Sequence, residues 1–185
     1  MRRSRCASNR RRLLRALAGI AFAVLAAARL VPPAAAAPSG PKLPPLRPHK
    51  AEIPPVIDGI LDDAVWAVAP SETGFKTWRP DMGLDMHQNT VVYYAYDREN
   101  IYFAFRCFDA EPDKIKAAVS NRDNIFDDDW ICVNLDSFDD QQSLYALYVN
   151  PLGIQADSRF EANHEDYSVD IVWYSAGRID DQGYT

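Results

Sequence analysis

Residues 90–109, TVVYYAYDRENIYFAFRCFD, decide the fold class of this chain. The runs 90–97 and 101–109 are rich in β-branched and aromatic residues, which strands prefer, and the polar residues 98–100 separate them as a hairpin turn would. Further strand-like runs with turn residues between them follow at 130–136, 143–150, 154–157 and 169–175. The pattern predicts an all-β fold, a two-sheet antiparallel β-sandwich of the jelly-roll or immunoglobulin-like type.

One or two short helices are predicted beside the strands. In residues 61–69 (LDDAVWAVA), Asp62 or Asp63 can cap a helix that buries Trp66. Residues 112–120 (PDKIKAAVS) begin with a proline, which suits the first position of a helix.

Turn residues predict two further chain reversals, at 150–153 (NPLG) and at 179–183 (IDDQG). The sequence stops at Thr185, two residues into the strand that would complete the second hairpin. We therefore expect the sandwich to be C-terminally incomplete, because a strand edge awaiting its partner is an unusual end for a sheet.

Residues 1–36 have the composition of an export signal. Seven arginines precede residue 16, and the apolar run at 16–27 is shorter than the roughly 20 residues that a bilayer span needs. Ala34-x-Ala36 offers a small-residue cleavage site. We interpret this segment as a signal peptide rather than a retained anchor, and arginines 10–12 leave the general and twin-arginine export routes both open.

Removal of this segment makes the chain strongly acidic. Residues 1–36 hold 8 of the 20 Lys and Arg residues and none of the 26 Asp and Glu residues, so the rest carries 12 basic and 26 acidic residues, a net charge of −14 against −6 for the whole chain. This charge repels phosphate backbones, so we expect no nucleic acid partner. Residues 37–52 are proline-rich and predict an extended linker, which leaves residues 53–185 as one domain.

Strand parity places the two cysteines of the domain on different kinds of face. Cys107 alternates in step with Phe103 and Phe105, whereas Cys132 lies out of step with its apolar neighbours Ile131 and Val133. Export would permit a disulfide, but cysteines on opposite faces do not bridge easily.

The sequence lacks the usual catalytic motifs: no GxSxG, HExxH or CxxC and no glycine-rich phosphate loop occurs in it. Its paired acids lie in polar, turn-rich stretches without the apolar surroundings that raise the pKa of a glycosidase acid, so we expect no enzyme. Asp127, Asp128 and Asp129 are instead candidates for a structural calcium site, with solvated loop aspartates as the alternative.

Aromatic rings in polar segments are the candidate ligand-binding groups. Sugars bind through stacking of their C–H faces on rings and through hydrogen bonds from polar side chains. Trp78, Phe126 and Trp130 lie in or beside polar loops. We expect these rings to bind carbohydrate, with polar contacts from Asp129 and Asn134.

Several motifs occur in the order typical of a known family. They are VIDGILDDAVW at residues 56–66, YDRENIYF at 96–103 and VNPLG at 149–153. The region from Ile53 to Thr185 resembles the family 9 carbohydrate-binding modules. With LDSFDD and VDIVWYS, it is similar to the version of this domain that precedes an outer-membrane β-barrel in bacterial proteins.

The resemblance implies a two-sheet sandwich, structural calcium and a sugar held between two aromatic rings. Phe126 stands where the family has one of the clamping tryptophans, and Cys132 and Tyr148 stand where it has a glutamate and an arginine that bond sugar hydroxyls. We expect a non-catalytic carbohydrate-binding domain, linked to carbohydrate catabolism and glycoside hydrolases, in the periplasm or at the outer membrane or cell surface of a bacterium. The alternative is a periplasmic docking domain of an outer-membrane β-barrel protein that binds no sugar, which the two replacements favour.

Overall fold

The computed structural model of the chain describes residues 45–77 and 79–185, so the predicted signal peptide and Trp78 lie outside the described residues. The described part contains one 3₁₀ helix, Pro112–Lys114, no α-helix, and no helix with the length and apolarity that a membrane span requires. Its strands are β1 His49–Lys50, β2 Ser71–Glu72, β3 Thr90–Tyr96, β4 Ile101–Phe108, β5 Ile131–Leu135, β6 Ser143–Val149, β7 Gln155–Glu161, β8 His164–Asp166, β9 Ile179–Asp180 and β10 Gly183–Tyr184.

These strands form two sheets, so the prediction of an all-β chain with two sheets is confirmed. The first sheet has six strands in the order β1-β3-β4-β10-β9, with β2 also paired to β3. The second has four strands in the order β5-β6-β7-β8. All pairs are antiparallel except β1 with β3.

The first sheet begins upstream of Ile53. Strand β1, which pairs with β3 through His49 and Ala95, lies within the range 37–52 that the sequence predicts to be a linker. Ala51, directly after β1, packs in a buried cluster with four apolar residues, Val65, Trp66, Ala95 and Ala104. The last residues of the predicted linker therefore belong to the fold.

The predicted hairpins are confirmed. Strands β3 and β4 pair along their whole lengths, and the Asp97 carboxylate accepts hydrogen bonds from the backbone N–H groups of Glu99 and Asn100 in the turn. At residues 150–153 the Gly153 N–H donates to the Asn150 carbonyl at 2.9 Å, which reverses the chain between β6 and β7. Residues 181–182 connect β9 to β10 in the same manner.

The predicted helix at 61–69 is wrong, because this stretch is a series of turns. The Trp66 N–H donates to the Asp63 carbonyl and the Ala69 N–H to the Val65 carbonyl, but no regular helix forms. The Asp63 carboxylate accepts from the backbone N–H of Val56 at 3.3 Å instead of capping a helix. A nine-residue run is too short to be helical on its own, and the burial of Trp66, which was predicted, fixes its path instead.

The predicted helix at 112–120 is also wrong beyond its first turn, because only Pro112–Lys114 is helical. The N–H groups of Lys116 and Ala118, which a longer helix would use internally, donate to the carboxylates of Asp129 and Asp128. Distant side chains therefore take the donors that helix propagation needs.

The strand predicted at 169–175 is absent, although the segment lies beside β7. The Ile171 N–H donates to Asp157 at 2.9 Å, and the Ile171 carbonyl accepts from Arg122 at 2.7 Å. The Trp173 carbonyl accepts from Gln155 at 3.1 Å. Side chains thus satisfy backbone groups that a ladder would otherwise pair.

The second sheet has two apolar faces with different partners. Alternate residues of β5 and β6 line an apolar cavity of about 550 Å³ together with residues of β4; among them are Val133, Leu147, Phe103 and Phe105. The opposite face carries Cys132, Tyr148 and Ala156, which pack with the fully buried Ile125. This second face, turned away from the cavity, carries the candidate site.

Both cysteine thiols of the described residues are free, as strand parity indicated. Cys107 is buried in the first sheet and Cys132 is half-buried in the second.

Candidate functional site

Four aromatic rings make contact on the outer face of the second sheet. The Phe126 ring centroid lies 6.3 Å from that of Trp130, 5.3 Å from that of Tyr148 and 5.6 Å from that of Tyr167. The Trp130 and Tyr148 centroids are 5.2 Å apart. Each of these four contacting pairs meets edge to face, the arrangement that the charge distribution of aromatic rings favours. We call these four rings the aromatic cluster.

Three elements of the second sheet bring the cluster together. Phe126 and Trp130 lie in the segment before β5, Tyr148 lies on β6, and Tyr167 directly follows β8. Phe126, Trp130 and Tyr167 are 43%, 43% and 46% exposed, whereas Tyr148 is only 9% exposed. Tyr148 is therefore the buried base that Phe126 and Trp130 contact, and Tyr167 joins the cluster through Phe126.

A carboxylate from β8 lies at this base. The Glu165 Oε1 atom accepts hydrogen bonds from the Tyr148 hydroxyl at 2.8 Å and from the Ser158 hydroxyl at 2.7 Å. Burial raises the pKa of Glu165, but hydrogen bonds from Ser158, Tyr148 and Tyr167 together lower it below its ordinary value of 4.5. Glu165 is therefore an ionised hydrogen-bond acceptor at neutral pH.

The hydroxyls that serve this carboxylate remain protonated. Burial is the largest cause that raises the pKa of both Tyr148 and Tyr167, and the hydrogen bond to Glu165 raises each further. Both phenols can therefore donate hydrogen bonds at neutral pH.

Cys132 lies opposite Tyr148 in the register of β5 and β6. Burial raises the pKa of its thiol to about 11. Its Sγ atom lies 3.5 Å from the Oδ1 atom of Asn134, an exposed residue two positions along the same face. Position 132 thus carries a neutral thiol rather than an anion.

The five predicted carbohydrate-binding residues have different positions in the fold. Phe126 and Trp130 come together in the aromatic cluster, and Asn134 shares its face of the sheet. The Asp129 carboxylate accepts from the Lys116 N–H at 2.9 Å, so this side chain braces a loop. Trp78 lies outside the described residues.

Three residues of the site were not predicted to bind sugar: Tyr148, Glu165 and Tyr167. The parity of Tyr148 with Cys132 was a usable signal, because both face away from the apolar side of the hairpin. Glu165 and Tyr167 depend on β8, a three-residue strand in a polar stretch that gave no strand pattern.

The predicted calcium ligands Asp127, Asp128 and Asp129 do not converge. Asp128 Oδ2 accepts from the Ala118 N–H at 3.1 Å and from the Asn150 side-chain amide at 2.8 Å. Within residues 45–77 and 79–185, no three His, Cys, Asp or Glu side chains are grouped in a way that could hold a metal ion. These contacts suit bracing rather than calcium coordination, so the calcium site stays a prediction that this arrangement does not support.

The arrangement can bind a ligand without covalent chemistry. Its exposed rings offer apolar faces for C–H groups, and Glu165 offers a fixed acceptor for hydroxyl or amine donors.

Comparison of the chain with protein-family models, with curated proteins and with solved structures gives no match.

Proposed function

We propose that this chain is a non-catalytic carbohydrate-binding domain whose site is the aromatic cluster with Glu165. One observation carries the proposal: three exposed rings, of which Phe126 contacts the other two, reach solvent beside a carboxylate that two hydroxyls hold in place. A sugar needs apolar surface for its C–H face and fixed acceptors for its hydroxyls, and this surface offers both.

The resemblance to the family 9 modules supports the same location. Phe126, at the position of a clamping tryptophan in that family, is the ring that contacts the other three. Cys132 replaces the sugar-binding glutamate, but its cross-strand partner Tyr148 is hydrogen-bonded to Glu165. A carboxylate from β8 thus lies near the place where the family has one on the third strand.

The proposal includes a sandwich architecture. The two sheets flank the apolar cavity of about 550 Å³, which residues from β4, β5 and β6 line. In a sandwich the inner faces of two sheets form such an apolar interior. An exported location, in the periplasm or at the outer membrane or cell surface, and a role in glycan breakdown follow the expectations from the sequence.

Calorimetric titration of the full chain with neutral mono- and oligosaccharides tests the proposal. We expect Trp130→Ala and Tyr167→Ala each to weaken binding about 10-fold, since loss of a stacked ring removes about 1–1.5 kcal/mol. Phe138→Ala is the matched control, because Phe138 is 69% exposed but lies beyond the other end of β5.

Two results would count against the proposal. The first is the absence of heat with every glycan tested. The second is an equal loss of affinity in the Trp130→Ala and Phe138→Ala variants, because this would detach binding from the aromatic cluster.

The alternative function, docking on a β-barrel partner without sugar binding, has its own supporting observation. Four large apolar side chains between residues 75 and 86 are exposed, namely Phe75, Met82, Leu84 and Met86 at 40%, 71%, 57% and 45%. Exposed apolar patches mark interaction surfaces. If docking is the function, Met82→Ser with Leu84→Ser will abolish co-sedimentation with outer-membrane vesicles, whereas Trp130→Ala will leave it unchanged.

A further inference from the structure

No basic side chain among the described residues forms an ion pair with Glu165. The groups that hold it ionised are the hydroxyls of Ser158, Tyr148 and Tyr167. A half-buried carboxylate in this state attracts a positively charged partner more strongly than a neutral one.

The rings beside Glu165 favour the same kind of partner. Aromatic faces carry negative potential, and several rings set at steep angles to one another form a site that suits a cation. In the part of the chain that the structure describes, the cation–π contacts join Arg106 to Phe108 and Arg159 to Tyr145. Neither contact involves the aromatic cluster, so neither Arg106 nor Arg159 covers the ring faces of the cluster through these contacts.

The charge of the chain acts in the same direction over longer distances. The net charge is −6 for the whole sequence. A field of this sign lowers the local concentration of anionic ligands and raises that of cationic ones. Uronic and sulfated glycans are therefore disfavoured at this surface.

We propose that the site selects glycans that carry free ammonium groups, that is, non-acetylated amino sugars, over neutral and acidic glycans. This inference rests on the proposed function. The C–H face of the sugar packs on the exposed rings of the cluster, and the ammonium group donates to Glu165 while it contacts a ring face. Tyr148 and Ser158 act as positioning residues, because they fix the carboxylate without reaching the ligand.

Three hexasaccharides with one backbone test the inference. Hexamers of β-1,4-linked glucosamine, N-acetylglucosamine and glucose differ only at C2, which carries an ammonium, an acetamide or a hydroxyl group. Titrated into the full chain at a pH that keeps the amine protonated, the glucosamine hexamer is expected to bind at least about 10-fold more tightly than the other two. Added salt is expected to weaken the glucosamine hexamer and to leave the glucose hexamer unchanged.

Glu165→Gln identifies the residue responsible. This variant keeps the size of the side chain and an oxygen acceptor but removes the charge, so the ratio of the affinity for the glucosamine hexamer to that for the glucose hexamer is expected to fall to about 2-fold. Glu161→Gln is the matched control, because it removes an equal charge from β7 at a position that alternates away from the face of Glu165. The control is expected to keep the full preference.

The outcomes separate the two proposals. Equal affinity for the three hexamers, tighter binding of a neutral one, or equal effects of Glu165→Gln and Glu161→Gln would each overturn the inference. In each case retained binding that depends on Trp130 would leave the proposed function standing. Failure to bind any of the three hexamers overturns the inference, and the same failure across neutral glycans refutes the proposed function as well.

Discussion

At the scale of single residues, the hydrogen bond from Tyr148 to Glu165 is the contact that ties the aromatic cluster to the sheet. We expect Tyr148→Phe to lower the free energy of unfolding by about 1–2 kcal/mol, because a half-buried carboxylate loses one of its donors. Urea unfolding of the full chain measures the change. Tyr145→Phe is the control, since Tyr145 also lies on β6 but contacts Arg159 through its ring, which phenylalanine keeps. Equal stability of the two variants would show that the bond contributes nothing.

The Cys132 thiol gives a second residue-scale test. Burial raises its pKa from 9.0 to about 11, so its thiolate fraction at neutral pH is about 100-fold below that of an ordinary thiol. We expect slow alkylation by iodoacetamide in the folded chain and fast alkylation in urea, with peptide mass mapping to assign the site. Alkylation of the folded chain at the rate of a free cysteine would contradict the environment described for Cys132.

At the scale of elements, the local sequence pattern was enough to predict strands and turns wherever local contacts determine the structure. Alternating apolar residues predicted β3 to β6, and Pro151 with Gly153 predicted the turn that follows. The predictions of a helix at 112–120 and of a strand at 169–175 were wrong for one shared reason. The backbone groups of these segments are satisfied by side chains such as Asp128 and Asp157, which lie far away in sequence and which no local propensity can reveal.

The hairpin that places Glu165 was missed because its turn lacks glycine. Ala162 and Asn163 connect β7 to β8 with φ values of 52° and 62°, a conformation that alanine adopts at a cost of about 1–2 kcal/mol. We expect Ala162→Gly to raise the free energy of unfolding by about 0.5 kcal/mol, since the relief exceeds the added entropy of the unfolded chain. Ala156→Gly, at a buried position of β7, is expected to lower it. Denaturant unfolding measures both, and destabilisation by Ala162→Gly would show that the turn is not strained.

At the scale of the whole molecule, only part of the site was accessible from sequence. Phe126 and Trp130 were predicted as exposed rings because their own surroundings are polar. Tyr167 comes into contact with Phe126 only because the second sheet has its particular order of four strands and the register of its three strand pairs. Both depend on pairing between residues far apart in sequence. Residue type therefore predicted candidate rings, whereas topology determines which rings meet.

Acid sensitivity is a further property of the whole molecule, because lowered carboxylate pKa values occur in both sheets. The largest cause that lowers the pKa of Asp97 is a hydrogen bond from the Tyr102 hydroxyl, and for Asp180 it is a hydrogen bond from Arg106; the ordinary pKa of both acids is 3.8. In the second sheet, the pKa of Glu165 is lowered. A folded state with lowered carboxylate pKa values binds fewer protons than the unfolded chain. The stability that these carboxylates contribute is therefore fully present at a pH above their ordinary pKa values, and it is lost as the pH falls through their pKa values in the folded state.

We therefore expect the free energy of unfolding to be nearly constant from neutral pH down to about 5 and to fall steeply below about 4. Asp180→Asn should reduce stability at neutral pH by less than about 1 kcal/mol, since Asp180 is 42% exposed and solvent screens its pair with Arg106. The unfolding curves of the variant and of the parent chain should converge in acid, where the parent carboxyl is itself protonated and no longer pairs with the guanidinium. Urea unfolding across this pH range measures both curves. A stability difference that stays constant down to the lowest pH would mean that Asp180 acts through packing or turn geometry and not through its charge.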